Sequence, residues 1–277
     1  MKKMIKRVVE FIFHGVRPQD VRALITITDK SNSLQGKNIV ITGGGRGVGF
    51  NIAERCVADG GNVLITGRNE DTLQKASVKL ENCHYIPFDV TNFEHISDFF
   101  DQCEKLFGSS VDCLVNNAGI SLHEGSIEKV TFDTFDRQIN TNLKGPYFLS
   151  KEFVDRYKKS GKSSASILFV SSERGLYCDD QPYGIIKAAL NSLTEALGRR
   201  FINIGLRVNA VAPGVTVSDL TKFEKEGNLS RPRSCGGRVY LGEEVAEIAS
   251  FLLSDVSNCI NSQIIPCNRG NHLRCDW

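Results

Sequence analysis

From Asn38 onward the chain alternates short, β-branched apolar runs with longer stretches in which apolar residues recur every three or four positions. That alternation is the pattern of strand–helix crossover units that build a parallel sheet. It predicts seven strands, at Asn38 to Thr42, Asn62 to Thr66, His84 to Phe88, Val111 to Val115, Ser166 to Val170, Leu206 to Val211 and Gln263 to Cys267. Several are apolar without interruption, as strands covered by helices on both faces must be. Between them the period predicts helices over 48–59, 70–81, 93–107, 133–158, 183–203 and 243–254, with Gly60-Gly61 stopping the first and Thr91 or Asn92 capping the third. The expected architecture is α/β, a doubly wound, parallel seven-stranded sheet in a three-layer sandwich.

Two stretches lack this order. One is Asp219 to Val239, where Gly227, Pro232, Gly236 and Gly237 interrupt any period; a long irregular insertion late in such a fold reads as a lid or binding loop. The other is residues 1–36, which carry seven basic side chains against three acidic ones, leaving 27 basic against 29 acidic in the rest of a 277-residue chain of net charge +2. Residues 1–36 are therefore expected to form a basic amphipathic extension, and 37–277 a single domain. Met4, Ile5, Val8, Phe11 and Ile12 recur at helical spacing opposite Lys2, Lys3, Lys6 and Arg7. Residues 1–14 fit either an anionic membrane surface or packing on the chain's own domain or a second subunit. Glu10 splits the run too early for a secretory signal, and no stretch approaches the ~20 apolar residues of a membrane span. The balanced charge argues against a surface that tracks nucleic acid. Nine cysteines, an odd count without a Cys-x-x-Cys pair, point to a reducing, cytoplasmic setting. Cys259, Cys267, His272 and Cys275 invite a zinc reading, but Cys267 falls on a predicted buried strand, and no metal is expected.

The first strand runs into Thr42-Gly43-Gly44-Gly45-Arg46-Gly47-Val48-Gly49 and then a helix. Glycines there permit a tight turn and the close approach of a pyrophosphate, and the helix start offers free N–H groups, so the unit reads as Rossmann-type dinucleotide binding. An NAD site usually carries an acidic residue at the end of the second strand; this chain has Gly67 followed by Arg68. Arg68 and Arg46 suit the forked hydrogen bonding of a 2′-phosphate. NADP(H) is the expected cofactor, NAD(H) the alternative.

Tyr183-Gly-Ile-Ile-Lys187 sets a phenol and an ammonium one helical turn apart. A cation at that spacing is expected to draw the tyrosine pKa down from ~10, making Tyr183 an acid in carbonyl reduction and a base in alcohol oxidation.

The Thr-Gly-x-x-x-Gly-x-Gly spacing is followed in order by Asp89-Val90, Asn116-Asn117-Ala118-Gly119 and Pro213-Gly214. With Tyr183 and Lys187, these elements resemble the short-chain dehydrogenase/reductase family, and in particular its 3-oxoacyl-acyl-carrier-protein reductase-like members, over about residues 37 to 271. Gly43, Arg46, Gly47, Val48, Gly49 and Arg68 are the residues expected to hold the phosphates, and the resemblance implies that Asp89 and Val90 meet the adenine. It further implies that Asn116, Ala118 and Gly119 brace the sheet beside the ribose, that Pro213, Gly214 and Val215 meet the nicotinamide end, and that Tyr183 and Lys187 also contact the cofactor. It assigns Ser172, with Gly175 three positions on, to holding the substrate oxygen, and Asn142 to positioning a water beside Lys187. The catalytic set is thus Asn142, Ser172, Tyr183 and Lys187. A homodimer or homotetramer is implied as well.

The chain departs from the family in three places. Only 11 positions separate Ser172 from Tyr183, a shortened loop; Asn268-Arg269-Gly270 replaces the usual glycine pair; and Ile204 stands where the carrier-linked group often has a basic residue. The expected activity is an NADPH-dependent hydride transfer between the cofactor and a small carbonyl or secondary alcohol. A sugar or polyol dehydrogenase, or a catalytically silent nucleotide-binding scaffold, stands as the alternative.

Overall fold

The computed structural model describes residues 32–218 and 220–273. Most of the basic extension, including residues 1–14, lies outside the described residues. Leu34 is fully buried in the core, so the packed body begins before the expected boundary at 37.

Seven parallel strands form one sheet: β1 (Asn38–Thr42), β2 (Asn62–Gly67), β3 (Cys83–Pro87), β4 (Cys113–Asn116), β5 (Ala165–Val170), β6 (Leu206–Pro213) and β7 (Ile264–Cys267), in the order β3-β2-β1-β4-β5-β6-β7. The helices are α1 (Gly47–Ala58), α2 (Glu70–Val78), α3 (Ile96–Phe107), α4 (Phe132–Ile139), α5 (Gly145–Ser160), α6 (Pro182–Phe201) and α7 (Gly242–Leu253). Alternation within each strand builds two cores. Ile39 and Ile41 face a layer made by Ile52 and Ala53 of α1, Leu73 of α2 and Val245 and Ala249 of α7. Val40 between them faces Phe99 and Phe100 of α3, Leu149 and Phe153 of α5 and Leu190 of α6. The chain leaves β1 toward β2 on one side and returns to β4 on the other, so the carboxyl ends of β1 and β4 flank a crevice.

The structure corrects three local expectations. The helix expected over 133–158 is two helices joined by a π-helical turn, Asn140–Lys144, that carries the buried Asn142. Neither Thr91 nor Asn92 caps α3: a 3₁₀ turn, Phe93–His95, leads into it, and Asp89 Oδ1 accepts from the Thr91 N–H and hydroxyl. β4 starts at Cys113 instead of Val111, because the Asp112 carboxylate, paired with Lys162, takes the Asn38 N–H at 2.9 Å and closes that end. Between β6 and α7 the irregular segment folds over a small apolar cluster of Leu229, Val239 and Leu241. No helix among the described residues is long and apolar enough to cross a membrane.

Candidate active site

A cavity of about 920 Å³ opens at the carboxyl ends of the strands. At its β1 end the wall is backbone. The Thr42 hydroxyl donates to Val115 O and accepts from the N–H groups of Asn117 and Ala118, tying β1 to β4. Gly43 and Gly47 have φ of 65° and 55°, the left-handed region where other residues are strained. A Cβ at Gly49 would overlap Asn117 Nδ2 and Gly43 O. α1 receives no side-chain cap and has no acidic residue in its first turn, so N–H donors at a helix start lie beside the cavity. A cradle that one added carbon would fill, at an uncapped helix N-terminus, fits a dinucleotide pyrophosphate.

Gly43, Arg46, Gly47, Val48, Gly49, Arg68, Asp89, Val90, Ala118, Gly119, Pro213, Gly214 and Val215 all line this cavity, as do Ser172, Tyr183 and Lys187. Asn116 and Asn142 do not. Asn116 is buried and donates to Ser150 Oγ, bracing β4 against α5, while Asn117 lines the cavity and donates to Thr42 O and Gly43 O. Asn142, fully buried in the π turn, is spent on Ile120: its Nδ2 donates to Ile120 O at 2.7 Å and its Oδ1 accepts the Ile120 N–H at 2.8 Å. It acts as a positioning residue that holds the post-β4 loop, where a Cβ at Gly119 would meet both Asn142 Oδ1 and Lys187 Nζ.

At the β5 end the wall is side chains. Ser172 ends the strand and caps a 3₁₀ turn, Glu173–Gly175, accepting the Arg174 N–H at 3.2 Å; its own proton is left for another partner. Gly175 is required by close packing, since a Cβ there would sit 2.7 Å from the Lys187 carbonyl carbon. Ser171 Oγ donates to Asn191 Oδ1 and Asn191 Nδ2 donates to Gly175 O, fixing α6, which bears Tyr183 and Lys187, against the end of β5.

The electrostatics differ from the expectation for an adjacent cation. Burial pushes the Tyr183 phenol above its ordinary value, with hydrogen bonding to Ser172 and the nearby Arg174 guanidinium pulling the other way. Lys187 does not draw it down. The ammonium donates to Val170 O at 2.8 Å, lies 5.5 Å from the Tyr183 ring centroid, and is itself pushed down to about 8 by burial.

Sequence reasoning missed the polar groups around this pair. Arg174 forms a forked bridge to Asp179, at 2.5 and 2.7 Å, and its guanidinium stands 5.7 Å from the Tyr183 ring centroid. That bridge closes the loop between Ser172 and Tyr183. Glu173, buried and lining the cavity, accepts from Asn268 Nδ2 at 3.1 Å and Asn271 Nδ2 at 2.9 Å, both on Oε2. The replacement of the glycine pair by Asn268-Arg269-Gly270 was the available signal, but its partner lies 95 positions away. Arg231, from the irregular segment, also lines the cavity. Among the described residues no cluster of His, Cys, Asp and Glu is arranged to hold a metal, and Cys275 lies outside them.

Fold and cavity together define a nicotinamide-dinucleotide oxidoreductase. The family model described as enoyl-(acyl carrier protein) reductase matches residues 43–272. The chain is 30% identical to an L-fucose dehydrogenase of Bos taurus, over 83% of this chain and 87% of that one. It is 33% identical to a 3-oxoacyl-[acyl-carrier-protein] reductase of Rickettsia bellii, over 86% and 97%. The solved 3-ketoacyl-(acyl-carrier-protein) reductase of Brucella melitensis complexed with NADH superposes with a TM-score of 0.79 at 26% identity, over 87% of this chain and 100% of that one. A short-chain dehydrogenase of Burkholderia cenocepacia in complex with NADP gives 0.78 at 27%, with the same coverage. The chain belongs to the short-chain dehydrogenase/reductase family and is an NAD(P)-dependent dehydrogenase/reductase.

Proposed function

We propose that this protein is an NADPH-dependent reductase of a small carbonyl compound, working through Ser172, Tyr183 and Lys187 with Asn142 in support. The observation that carries the reading is the convergence of those three side chains on the cavity whose other end is the glycine cradle rimmed by Arg46 and Arg68. A bound nicotinamide supplies the hydride in reduction and takes it up in oxidation. As the hydride arrives, negative charge grows on the substrate oxygen. Ser172 Oγ, already an acceptor for Arg174 N–H, donates to that oxygen, and Tyr183 delivers the proton. Burial, which raises the Tyr183 phenol above its ordinary value, leaves it holding the proton that reduction needs. Lys187 and Tyr183 would also contact the bound cofactor. Asn142 keeps the π turn and the Gly119 loop in place around Lys187. Arg46 and Arg68, with no carboxylate at Gly67, support NADP(H) over NAD(H).

A homodimer or homotetramer is supported by apolar side chains left exposed on neighbouring helices, Phe132 and Phe135 on α4 and Tyr147 and Phe148 on α5; sedimentation as a monomer would overturn it. A cytosolic setting rests on the unpatterned cysteines of the sequence, and latency of the protein inside sealed organelles in cell fractionation would overturn it.

The test is NADPH and NADH consumption across a panel of aldehydes, ketones and ketoses, by wild type and Tyr183→Phe. Wild type turns over at least one compound and prefers NADPH. Losing the positioned acid lowers kcat by roughly 10²- to 10⁴-fold with NADPH binding retained. Equal rates for the two proteins remove Tyr183 from the reaction, and a panel with no turnover favours the silent scaffold.

A further inference from the structure

Between Ser172 and Arg174 the cavity wall carries a carboxylate that the proposed reaction does not use. Glu173 is 7% exposed, yet it lines the cavity. Both amide donors that hold it, from Asn268 and Asn271, converge on Oε2. Oε1 accepts no hydrogen bond from any described residue. The holder is itself braced: Tyr240 Oη donates to Asn268 O at 2.7 Å, and Asn268 Oδ1 accepts the Gly270 N–H at 3.1 Å. The carboxylate is therefore held by one oxygen, while the other accepts no hydrogen bond from a described residue, and Glu173 lines the cavity next in sequence to Ser172.

Such a wall discriminates among substrate chemistries. An acyl chain laid against Glu173 would strip water from a carboxyl oxygen and return no hydrogen bond. A phosphate or carboxylate would meet a like charge. An ammonium would find a carboxylate in Glu173, but the Arg231 guanidinium, near enough to Tyr177 to pull its pKa down, lines the same cavity and would repel it. A hydroxyl-rich neutral molecule satisfies both groups, donating to Glu173 and accepting from Arg231.

We propose that Glu173 is the specificity-determining residue of this enzyme and selects a sugar or polyol by accepting, on Oε1, a hydrogen bond from a substrate hydroxyl near the reacting carbon. This rests on the carbonyl-reductase reading above.

The experiment compares kcat/KM, with NADPH, for a series of ketoses and for ketones of the same chain length lacking the hydroxyls next to the carbonyl. A site built to hydrogen-bond a hydroxyl rejects its deoxy analogue by roughly 10²-fold or more. Wild type is expected to show that ratio, carried mainly by KM. Glu173→Gln, which keeps the shape and can still accept from both asparagines, is expected to reduce the ratio at least tenfold. A wild-type enzyme that reduces the deoxy ketones as well as or better than the ketoses overturns the proposal and leaves the reductase reading standing. No turnover of either series, with Tyr183→Phe indistinguishable from wild type, removes the reading beneath it. An unchanged ratio in folded Glu173→Gln overturns the assignment; should that variant fail to fold, Asn271→Ala, which removes one of the two donors that hold the carboxylate, is expected to lower the ratio several-fold, and an unchanged ratio there overturns the assignment likewise.

Discussion

The two ends of the cavity are built from different materials. Around the end of β1 the chain offers backbone: glycines at positive φ, an uncapped helix start, and a threonine and an asparagine whose bonds go to main-chain atoms. Around the end of β5 it offers side chains gathered from three separate stretches: Glu173 and Arg174 after the strand, Arg231 from the segment before α7, Asn268 and Asn271 after β7. A pyrophosphate is the same in every dinucleotide, so a fixed shape with N–H donors suffices to hold it. A substrate differs from enzyme to enzyme, and the part proposed to read it is assembled from stretches far apart in the chain.

The sharpest break of that comparison lies at Gly49. A methyl group there overlaps Gly43 O, which is backbone and cannot rotate away, so the turn and α1 must move apart. Gly49→Ala is expected to weaken NADPH binding by more than about 100-fold and to destabilise the fold by roughly 1–3 kcal/mol, the usual cost of overpacking. Calorimetric titration with NADPH and urea denaturation measure the two. Unchanged affinity would mean that the cradle is not the binding element.

How much was legible in the sequence follows the same division. β1 runs over the residues expected of it, and the glycine turn lies where the strand–helix boundary puts it, because both depend on neighbours in the chain. The break at Asn140–Lys144 was hidden, since the apolar period continues through it and only the pairing of Asn142 with Ile120, 22 positions away, reveals it. Glu173 was unreadable for the same reason, at longer range. The expected acidification of Tyr183 failed on direction of aim. Spacing by one turn brings Lys187 near, but its Nζ is committed to Val170 O, and burial acts on both groups.

Lys187 sharpens the comparison by turning burial into a measurable cost. Burial pushes its folded-state pKa down to about 8, against an ordinary 10.5. Below pH 8 it is charged in both states, and the folded protein bears the desolvation. Between about 8 and 10.5 the unfolded chain still binds a proton that the folded chain has released, so this group's contribution to stability rises with pH and levels off above 10.5. At 1.36 kcal/mol per unit the full span is roughly 3 kcal/mol. Urea midpoints at pH 7, 8.5 and 10 should rise for wild type relative to Lys187→Met, the other titrating groups cancelling in the difference. Parallel curves would show that the ammonium is not depressed.

The smallest expected effect tests whether the loop after β5 reaches the chemistry or only borders it. Arg174 is one of the influences that lower the Tyr183 pKa against burial, and Asp179 neutralises it through the forked bridge. Removing the cation with Arg174→Met leaves Asp179 without its partner and lets the phenol rise further. The rising, acid-side limb of alcohol oxidation, which reports deprotonation of the phenol, should then move to higher pH. Asp179→Asn leaves the cation unneutralised near the ring and should move the same limb to lower pH. Because the bridge screens most of the charge in wild type, each shift is expected to be about half a unit to one unit, equivalent to roughly 1 kcal/mol. Opposite signs in the two variants distinguish a field acting on Tyr183 from a loop that has simply loosened, which would change kcat or KM in both without moving the limb. Were both limbs to stay in place, Arg174 would belong to the loop alone, and the electrostatics of the phenol would be set by Ser172 and burial.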